Sequence, residues 1–399
     1  MADLQTTSPA ARAEREARIA ASAEAVYDEV TDGLRRSLRL SELVYEAADR
    51  HPDLLPTRAA IDAERELLQK DKQGLEIDQG VFLAHLLAHP RIGPHLLHAM
   101  SQPRADALEH LDTLRTTGSV DLGVARVDRD GDIGLITTQN DVFLNSEDDP
   151  SVAALETAVD LVLLDDAIRV AVLRGGVATH AKYAGRRIFG SGLNLTHLYY
   201  GKISLVEFML ERELGALSKM YRGHDLGAPG QPLEDRREKP FVAAVESFAI
   251  GGSCQILLVM DRVIAEAGAY FNLPARKEGI VPGCANLRLP RFVGERPTRQ
   301  AIFFNRDFLA DSPEGRMLAD EVVSAGDVDG AIAHAATELM SAGETSLVAN
   351  RRQLRVAAEP LDTFRAYMAS YAREQAYCFY SPALIDNLER NWEAKRRRL

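Results

Sequence analysis

From Ala10 to about Met100, apolar and alanine positions recur at helical spacing. The segments AARAEREARIAASAEAVYDEV and LSELVYEAADRHPDLL show it first, and IDAERELLQKDKQG and QGVFLAHLLAHPRIGPHLLHAM follow, punctuated by Gly and Pro. Strand signals are absent from this part, so Met1 to about Ser119 is expected to form a helical N-terminal region, as a bundle or an oligomer-contact arm. After Gly118 the period shortens. Val120 to Val127, Asp132 to Gln139 (DIGLITTQ) and Ile168 to Arg174 (IRVAVLR) are β-branched runs, the last preceded by the apolar helical stretch VAALETAVDLVLLDD. Pro240 to Ile250 predicts one more strand, SCQILLVM a helix, and Arg262 to Ala267 a further strand. Strands alternating with helices predict an α/β arrangement with strands buried on both faces. From about Pro313 the pattern returns to helix and ends in ALIDNLERNWEAKRRRL, whose basic run reads as a solvated helix end.

Composition narrows the function classes. With 399 residues, 46% hydrophobic and 27% charged, the chain has material for two or three domains and a large core. No run approaches the roughly 18 to 20 uninterrupted apolar residues of a membrane helix, and the start MADLQTTSPAARAERE lacks an apolar segment of the secretory kind, so a cytoplasmic protein without membrane partners is expected. Cys254, Cys284 and Cys378 are widely spaced and odd in number, which suits neither a disulfide framework nor a metal cluster. A net charge of −12 argues against a nucleic-acid partner; any anionic ligand would need a local basic patch.

One segment concentrates the chemistry: VESFAIGGSCQILLVMDRVIAEAGAYFNLPARKEGIVPGCANLRLPRFVG. Gly251 and Gly252 lie between an apolar strand and the first turn of a helix, where a backbone without Cβ can approach a ligand and unpaired N–H groups point outward. With Ala249, Asp261, Phe271, Pro274, Gly279, Pro282 and Gly283 in order behind them, and with IFGSGLNLTHL (Ile188 to Leu198) and QNDVFLN (Gln139 to Asn145) upstream, the chain from about Val120 onward resembles the crotonase (enoyl-CoA hydratase/isomerase) superfamily. The resemblance implies an α/β fold, a crotonase-type spiral of ββα units. Residues 120–399 would then be the acyl-CoA domain with C-terminal oligomerisation helices, and residues 1–119 a helical extension. It also implies a homo-oligomer, a trimer or dimer of trimers, with Trp392 at a subunit contact. In the family, two backbone N–H groups hold the thioester oxygen as it becomes an enolate. Position by position these fall on Leu193 and Gly252, and each such donor stabilises the oxyanion by about 3 kcal/mol.

What is missing bears on the reaction. The two glutamates of the hydratases fall here on Gln255 and Ala275, and adding water across a double bond needs one carboxyl to give and another to take a proton. Gln255 can orient a water or an oxygen species but cannot act as a base. Glu278, the nearest carboxylate downstream, sits at a different phase of the turn and is read as structural. The helical extension, together with HAKYAGRRIFGSGLNLTHLYYGKI, FMLERELG and SFAIGGSCQ, narrows the resemblance to a branch of cofactor-independent acyl-CoA dioxygenases. That resemblance implies an aryl-acetyl-CoA substrate carrying two ring hydroxyls, O2 as co-substrate, an arylglyoxylate and CoA as products for glycopeptide antibiotic assembly, and no metal, flavin or other cofactor. The residues permit it: no facial-triad spacing and no GxGxxG motif is visible, and a benzylic thioester can supply the electrons from its own α-carbanion in a site that excludes water. The resemblance puts Glu147 and Arg212 beside the aromatic diol, with Asn194, Ile250 and Gly251 as further substrate contacts. His180 and Tyr183 would contact CoA, and Lys182, Arg186 and Arg187 its phosphates. Two other readings stay open: a thioester hydrolase of the same fold, with a water held by Gln255 or Glu278, and a non-catalytic CoA-binding module.

Overall fold

The computed structural model describes residues 9–227, 235–341 and 343–397. Six helices open the chain: Pro9–Val30, Leu40–Arg50, Arg58–Arg65, Glu76–Ala88, Ile92–Ser101 and Ala105–Thr117. The last stops at Gly118, whose left-handed backbone (φ +77°) lets its N–H return to the Leu114 carbonyl at 2.9 Å.

A seven-stranded sheet follows, in the spatial order Ser119–Asp121, Ala125–Asp130, Ile133–Thr138, Val170–Gly175, Phe241–Val245, Arg262–Glu266, Glu321–Val323. Its first two pairings are antiparallel and the rest parallel. The helix Asp149–Leu164 makes the first parallel crossover. Its start is written locally: the Asp148 carboxylate accepts from the Ser151 N–H at 3.1 Å while Ser151 Oγ accepts from the Asp148 N–H at 2.6 Å.

Two apolar runs expected as single strands are divided. Val120 to Val127 breaks into a hairpin at Gly123 (φ +80°), where the Asp121 carboxylate accepts from the Gly123 N–H. Pro240 to Ile250 breaks at Ser247 (φ +63°), whose hydroxyl donates to the Arg187 carbonyl at 2.9 Å. Beyond that kink Phe248–Ile250 leaves the large sheet and pairs with Tyr270–Asn272 in a three-stranded sheet. Hydrophobic periodicity cannot show this break, because the residues on both sides of it are apolar. The helical tail expected from about Pro313 is likewise interrupted by the edge strand Glu321–Val323.

The N-terminal helices do not enclose a core of their own. Ile19, Tyr27, Leu43 and Phe82 share one apolar cluster with Leu205, Phe364 and Phe379, the last two from the helix Leu361–Phe379. Contact is close enough that a Cβ on Gly80 would lie 2.7 Å from that of Ala376. A second cluster, including Leu173, Phe241, Ile256 and Phe271, fills the space beside the sheet. Buried charges join the helical part to the crossover helix: Lys219, fully buried, contacts Glu156 at 2.7 Å and Asp160 at 2.8 Å, and Arg39 reaches Glu156 at 2.7 Å. Burial raises the Asp160 carboxyl, but Lys219 and His224 outweigh it and hold it at about 2. Among the described residues no helix is long and apolar enough to cross a membrane.

Candidate active site

Two backbone segments meet at the edge of the small sheets. Gly192–Leu193 runs parallel to Ser146–Glu147, with the Asn194 N–H donating to the Glu147 carbonyl at 2.8 Å. N–H groups alternate in direction along an extended chain, so the intervening Leu193 N–H points away from that pairing. Opposite it, the helix Gly252–Leu257 begins directly after Phe248–Ile250. The Gly251 N–H is taken by the Asn272 carbonyl at 2.8 Å, whereas that of Gly252 belongs to the first helical turn, which offers it no acceptor. Glycine is required where the segments touch. Gly192 has φ +76°, and a Cβ there would stand 2.7 Å from the Ile250 carbonyl and 3.0 Å from the Gly252 nitrogen.

Behind this junction lies an inner cavity with free volume of about 30 Å³, lined on its apolar side by Phe208, Met209, Leu273, Ile280 and Tyr371. Its polar side is a buried ionic knot. Arg212 comes between two wide-turn helical stretches, Leu205–Leu210 and Glu213–Leu217, a geometry often met at functional sites. Its Nε donates to Glu147 Oε1 at 2.9 Å, Nη1 to Glu213 Oε1 at 2.7 Å and to Gln255 Oε1 at 3.1 Å, and Nη2 to the Gly252 carbonyl at 2.6 Å. Each guanidinium nitrogen is therefore engaged by the protein itself. The Gln255 amide oxygen belongs to the same knot.

Glu147 differs from its neighbours. The residue is 7% exposed, and its Oε2 has no hydrogen-bond partner among the described residues. An unpaired buried acceptor costs about 1–3 kcal/mol, more when charged, so this oxygen is open to a hydrogen-bond donor. It lies directly over Gly252: a Cβ on that residue would be 1.8 Å from Oε2. Cys254, in the first turn of the same helix, is buried, and burial pushes its thiol up to about 12, which leaves it an inert apolar group.

On the other side of the junction an outer cavity of about 650 Å³ extends to the surface. His180, Tyr183, Asn194 and Ile250 line it. Asn194 caps the helix Leu195–Tyr199 through Oδ1, which accepts from the His197 N–H at 3.0 Å, and its buried Nδ2 has no partner among the described residues. Lys182 and Arg186 are exposed beside the cavity rather than in its lining; Lys182 Nζ lies 5.0 Å from the Tyr183 ring centre, and Arg187 Nη1 donates to the Gly175 carbonyl. The cations lining the cavity are Lys277 and Arg397. Arg397 comes from the tail read as a solvated helix end and stacks 3.7 Å over Trp392, whose Nε1 donates to Thr196 Oγ1 at 3.2 Å. Trp392 thus packs on its own chain and walls the cavity. No spacing in the sequence signals Trp392 and Arg397, because they reach the site only through the docking of the C-terminal helices, whereas Lys277 lies in the turn Ala275–Glu278 behind the small sheet. Glu278, read from the sequence as structural, lines both cavities.

Residues 231–379 match the family described as enoyl-CoA hydratase/isomerase. The chain is 48% identical over 374 residues to the (3,5-dihydroxyphenyl)acetyl-CoA 1,2-dioxygenase of Amycolatopsis orientalis, covering 94% of this chain and 85% of that relative. It is 26% identical over 197 residues to a probable mitochondrial enoyl-CoA hydratase of Dictyostelium discoideum, covering 49% of this chain and 62% of the other. Among solved structures it is similar to OdaA of Pseudomonas aeruginosa, with a TM-score of 0.56 at 20% identity over 69% of this chain and 100% of that one. An enoyl-CoA hydratase/isomerase from Pseudoalteromonas atlantica gives 0.54 at 19% over 69% and 99%. At such identities these two structures show the fold alone.

Proposed function

The chain belongs to the enoyl-CoA hydratase/isomerase (crotonase) superfamily, in the branch of (3,5-dihydroxyphenyl)acetyl-CoA 1,2-dioxygenase, and from that membership we infer that it converts (3,5-dihydroxyphenyl)acetyl-CoA and O2 to 3,5-dihydroxyphenylglyoxylate and CoA. The observation that carries the reading to this chain's own residues is the unpaired Glu147 Oε2 beside the Leu193–Gly252 backbone pair. A carboxylate held open next to an oxyanion site suits an acyl group that brings a hydroxyl donor with it.

In this reading the pantetheine arm lies in the outer cavity, past His180, Tyr183, Asn194 and Ile250, and the CoA phosphates lie toward Lys277 and Arg397, with Lys182, Arg186 and Arg187 beside the opening. The aryl ring enters the inner cavity and donates a phenol hydrogen to Glu147. Arg212 acts at one remove: it holds Glu147, Glu213 and Gln255 in place rather than gripping the ring oxygen itself. The inner space must widen to take the ring, and the unbranched Met209 in its wall can yield.

Loss of one α-proton gives an anion shared between ring and thioester, with its oxygen held by the Leu193 and Gly252 N–H groups. The anion reduces O2 and joins it at the α-carbon. The terminal peroxide oxygen then attacks the thioester carbonyl, the C–S bond breaks to release CoA, and O–O cleavage with loss of the second α-hydrogen leaves a keto acid bearing both oxygen atoms. The substrate supplies all the electrons, so this sequence calls on no cofactor. Residues 120–399 carry this chemistry and the helices of 1–119 brace it from outside. A cytoplasmic trimer or dimer of trimers belongs to the same reading. The exposed Phe303 and Phe304 offer such an assembly an apolar surface, and light scattering measures its mass.

The test is O2 uptake and CoA release with (3,5-dihydroxyphenyl)acetyl-CoA on metal-stripped enzyme. One O2 consumed per CoA released supports the reading. CoA release without oxygen identifies a hydrolase, binding without turnover a CoA-binding module, and an absolute need for iron overturns the cofactor-free sequence.

A further inference from the structure

We propose that Glu278 is the base that removes the α-proton. This rests on the dioxygenase reading above and adds the group that it leaves unnamed. The thioester joins the acyl group to the pantetheine arm, so it must sit where the two cavities meet. Among the described residues, only Leu193 and Glu278 line both cavities. Leu193 brings an oxyanion donor to that junction, and Glu278 brings a carboxyl. The same carboxyl reaches the Gly251 turn from outside, with Oε1 3.9 Å from where a Cβ on Gly251 would stand. The α-carbon is bonded to the thioester carbon, so a group at this junction is within reach of its hydrogens.

The surroundings leave Glu278 free to act. The other carboxylates lining the inner cavity are tied to Arg212: Glu213 through Oε1, with its Oε2 accepting from the Cys284 N–H at 3.2 Å, and Glu147 through Oε1, its free Oε2 being the atom assigned above to the ring hydroxyl. Among the described residues the Glu278 carboxyl makes no hydrogen bond and no ion pair; only its backbone N–H is used, by the Pro274 carbonyl. Arg276 of the same turn points to the Phe303 carbonyl of the helix Glu295–Phe304. From the adjoining helix Pro382–Asn391, the amides of Asn387 and Asn391 donate to the carbonyls of residues 276 and 277, and Arg390 lines the surface groove beside Lys277. Lys277 is the one charged neighbour that influences the carboxyl, and it opposes burial only in part, so the pKa rises to about 7. A base of that strength is half ionised near neutrality and still able to take a proton from an acidified C–H. In the step, the α C–H bond breaks, its electron pair moves into the thioester to give the enolate oxygen at Leu193 and Gly252, and the proton forms an O–H bond on Glu278.

The experiment is α-hydrogen exchange of (3,5-dihydroxyphenyl)acetyl-CoA in D2O under nitrogen, read by mass spectrometry. Wild-type enzyme should exchange, and Glu278→Gln should exchange at least about 100-fold more slowly, with an equal fall in O2 uptake and unchanged substrate affinity by anaerobic dialysis. Glu278→Asp should recover part of the rate. Wild-type kcat/KM should rise with pH through about 7, and that limb should vanish in Glu278→Gln. Exchange at the wild-type rate in Glu278→Gln overturns the proposal, as does a loss of affinity that accounts for the whole effect. A wild-type enzyme that exchanges without consuming oxygen keeps the base and sinks the dioxygenase reading, while one that does neither with this thioester sinks both.

Discussion

Gly252→Ala separates two roles that meet at a single residue. Alanine keeps the backbone N–H, and the φ of Gly252 lies outside the positive region, so the oxyanion donor and the helix start survive. The added methyl, however, would sit 1.8 Å from Glu147 Oε2, and contacts under 3.0 Å are essentially never tolerated, so the carboxylate must withdraw by at least about 1.2 Å. That displacement disrupts the buried 2.9 Å bond from Arg212 Nε to Glu147 Oε1. A charge-assisted hydrogen bond of this kind is worth about 1.5–3 kcal/mol, and misplacing a substrate-positioning group by about 1 Å costs on the order of 100-fold in rate. Gly252→Ala should therefore lower thermal stability by about 2 kcal/mol and kcat/KM for the dihydroxylated thioester by about 100-fold, as measured by thermal melting and O2 uptake. The control is the same substitution made on Glu147→Ala. With the carboxylate gone the methyl has room, and the added cost should fall to a few tenths of a kcal/mol. Equal cost in both backgrounds would refute the collision and return the effect to the oxyanion N–H.

Gly192→Ala should be more damaging, because it combines a positive φ with a Cβ 2.7 Å from the Ile250 carbonyl; separating the two segments should lower kcat by about 10²- to 10³-fold, measured by CoA release. Burial raises the Glu359 carboxyl, but Arg288, Arg222 and Arg291 outweigh it and hold it at about 2. A carboxyl with a lowered folded-state pKa adds stability above its unfolded value near 4.3, and that stability, on the order of 3 kcal/mol, is lost as pH falls from about 4.3 to about 2. Glu359→Gln should lower the melting temperature at pH 7 and flatten its dependence on pH in that window; an unchanged acid limb would refute the assignment. Cys254, buried with its thiol at about 12, should resist iodoacetamide at pH 8 in the native protein and react only after unfolding, which peptide mass mapping would show.

Much of this was legible along the chain because it is local. Helical spacing marked the N-terminal helices, β-branched runs marked the central strands, and Gly251–Gly252 marked the turn from strand into helix. The missing glutamates at Gln255 and Ala275 were visible too, since a side chain's chemistry needs no fold to be known. The boundaries that failed did so where tertiary contacts override pattern: Ser247 turns an apolar run out of one sheet into another by bonding to Arg187, 60 residues away in sequence. Residue identity alone could not show that Arg212 is consumed by Glu147, Glu213, Gln255 and the Gly252 carbonyl, for it depends on which partners burial brings within 3.1 Å. The open oxygen on Glu147 follows from that arrangement. So does the change in Glu278, an ordinary acidic residue of a turn in the sequence. Packing around it costs its charged form part of its solvation and raises its pKa, and solvation is a property that only the folded chain determines.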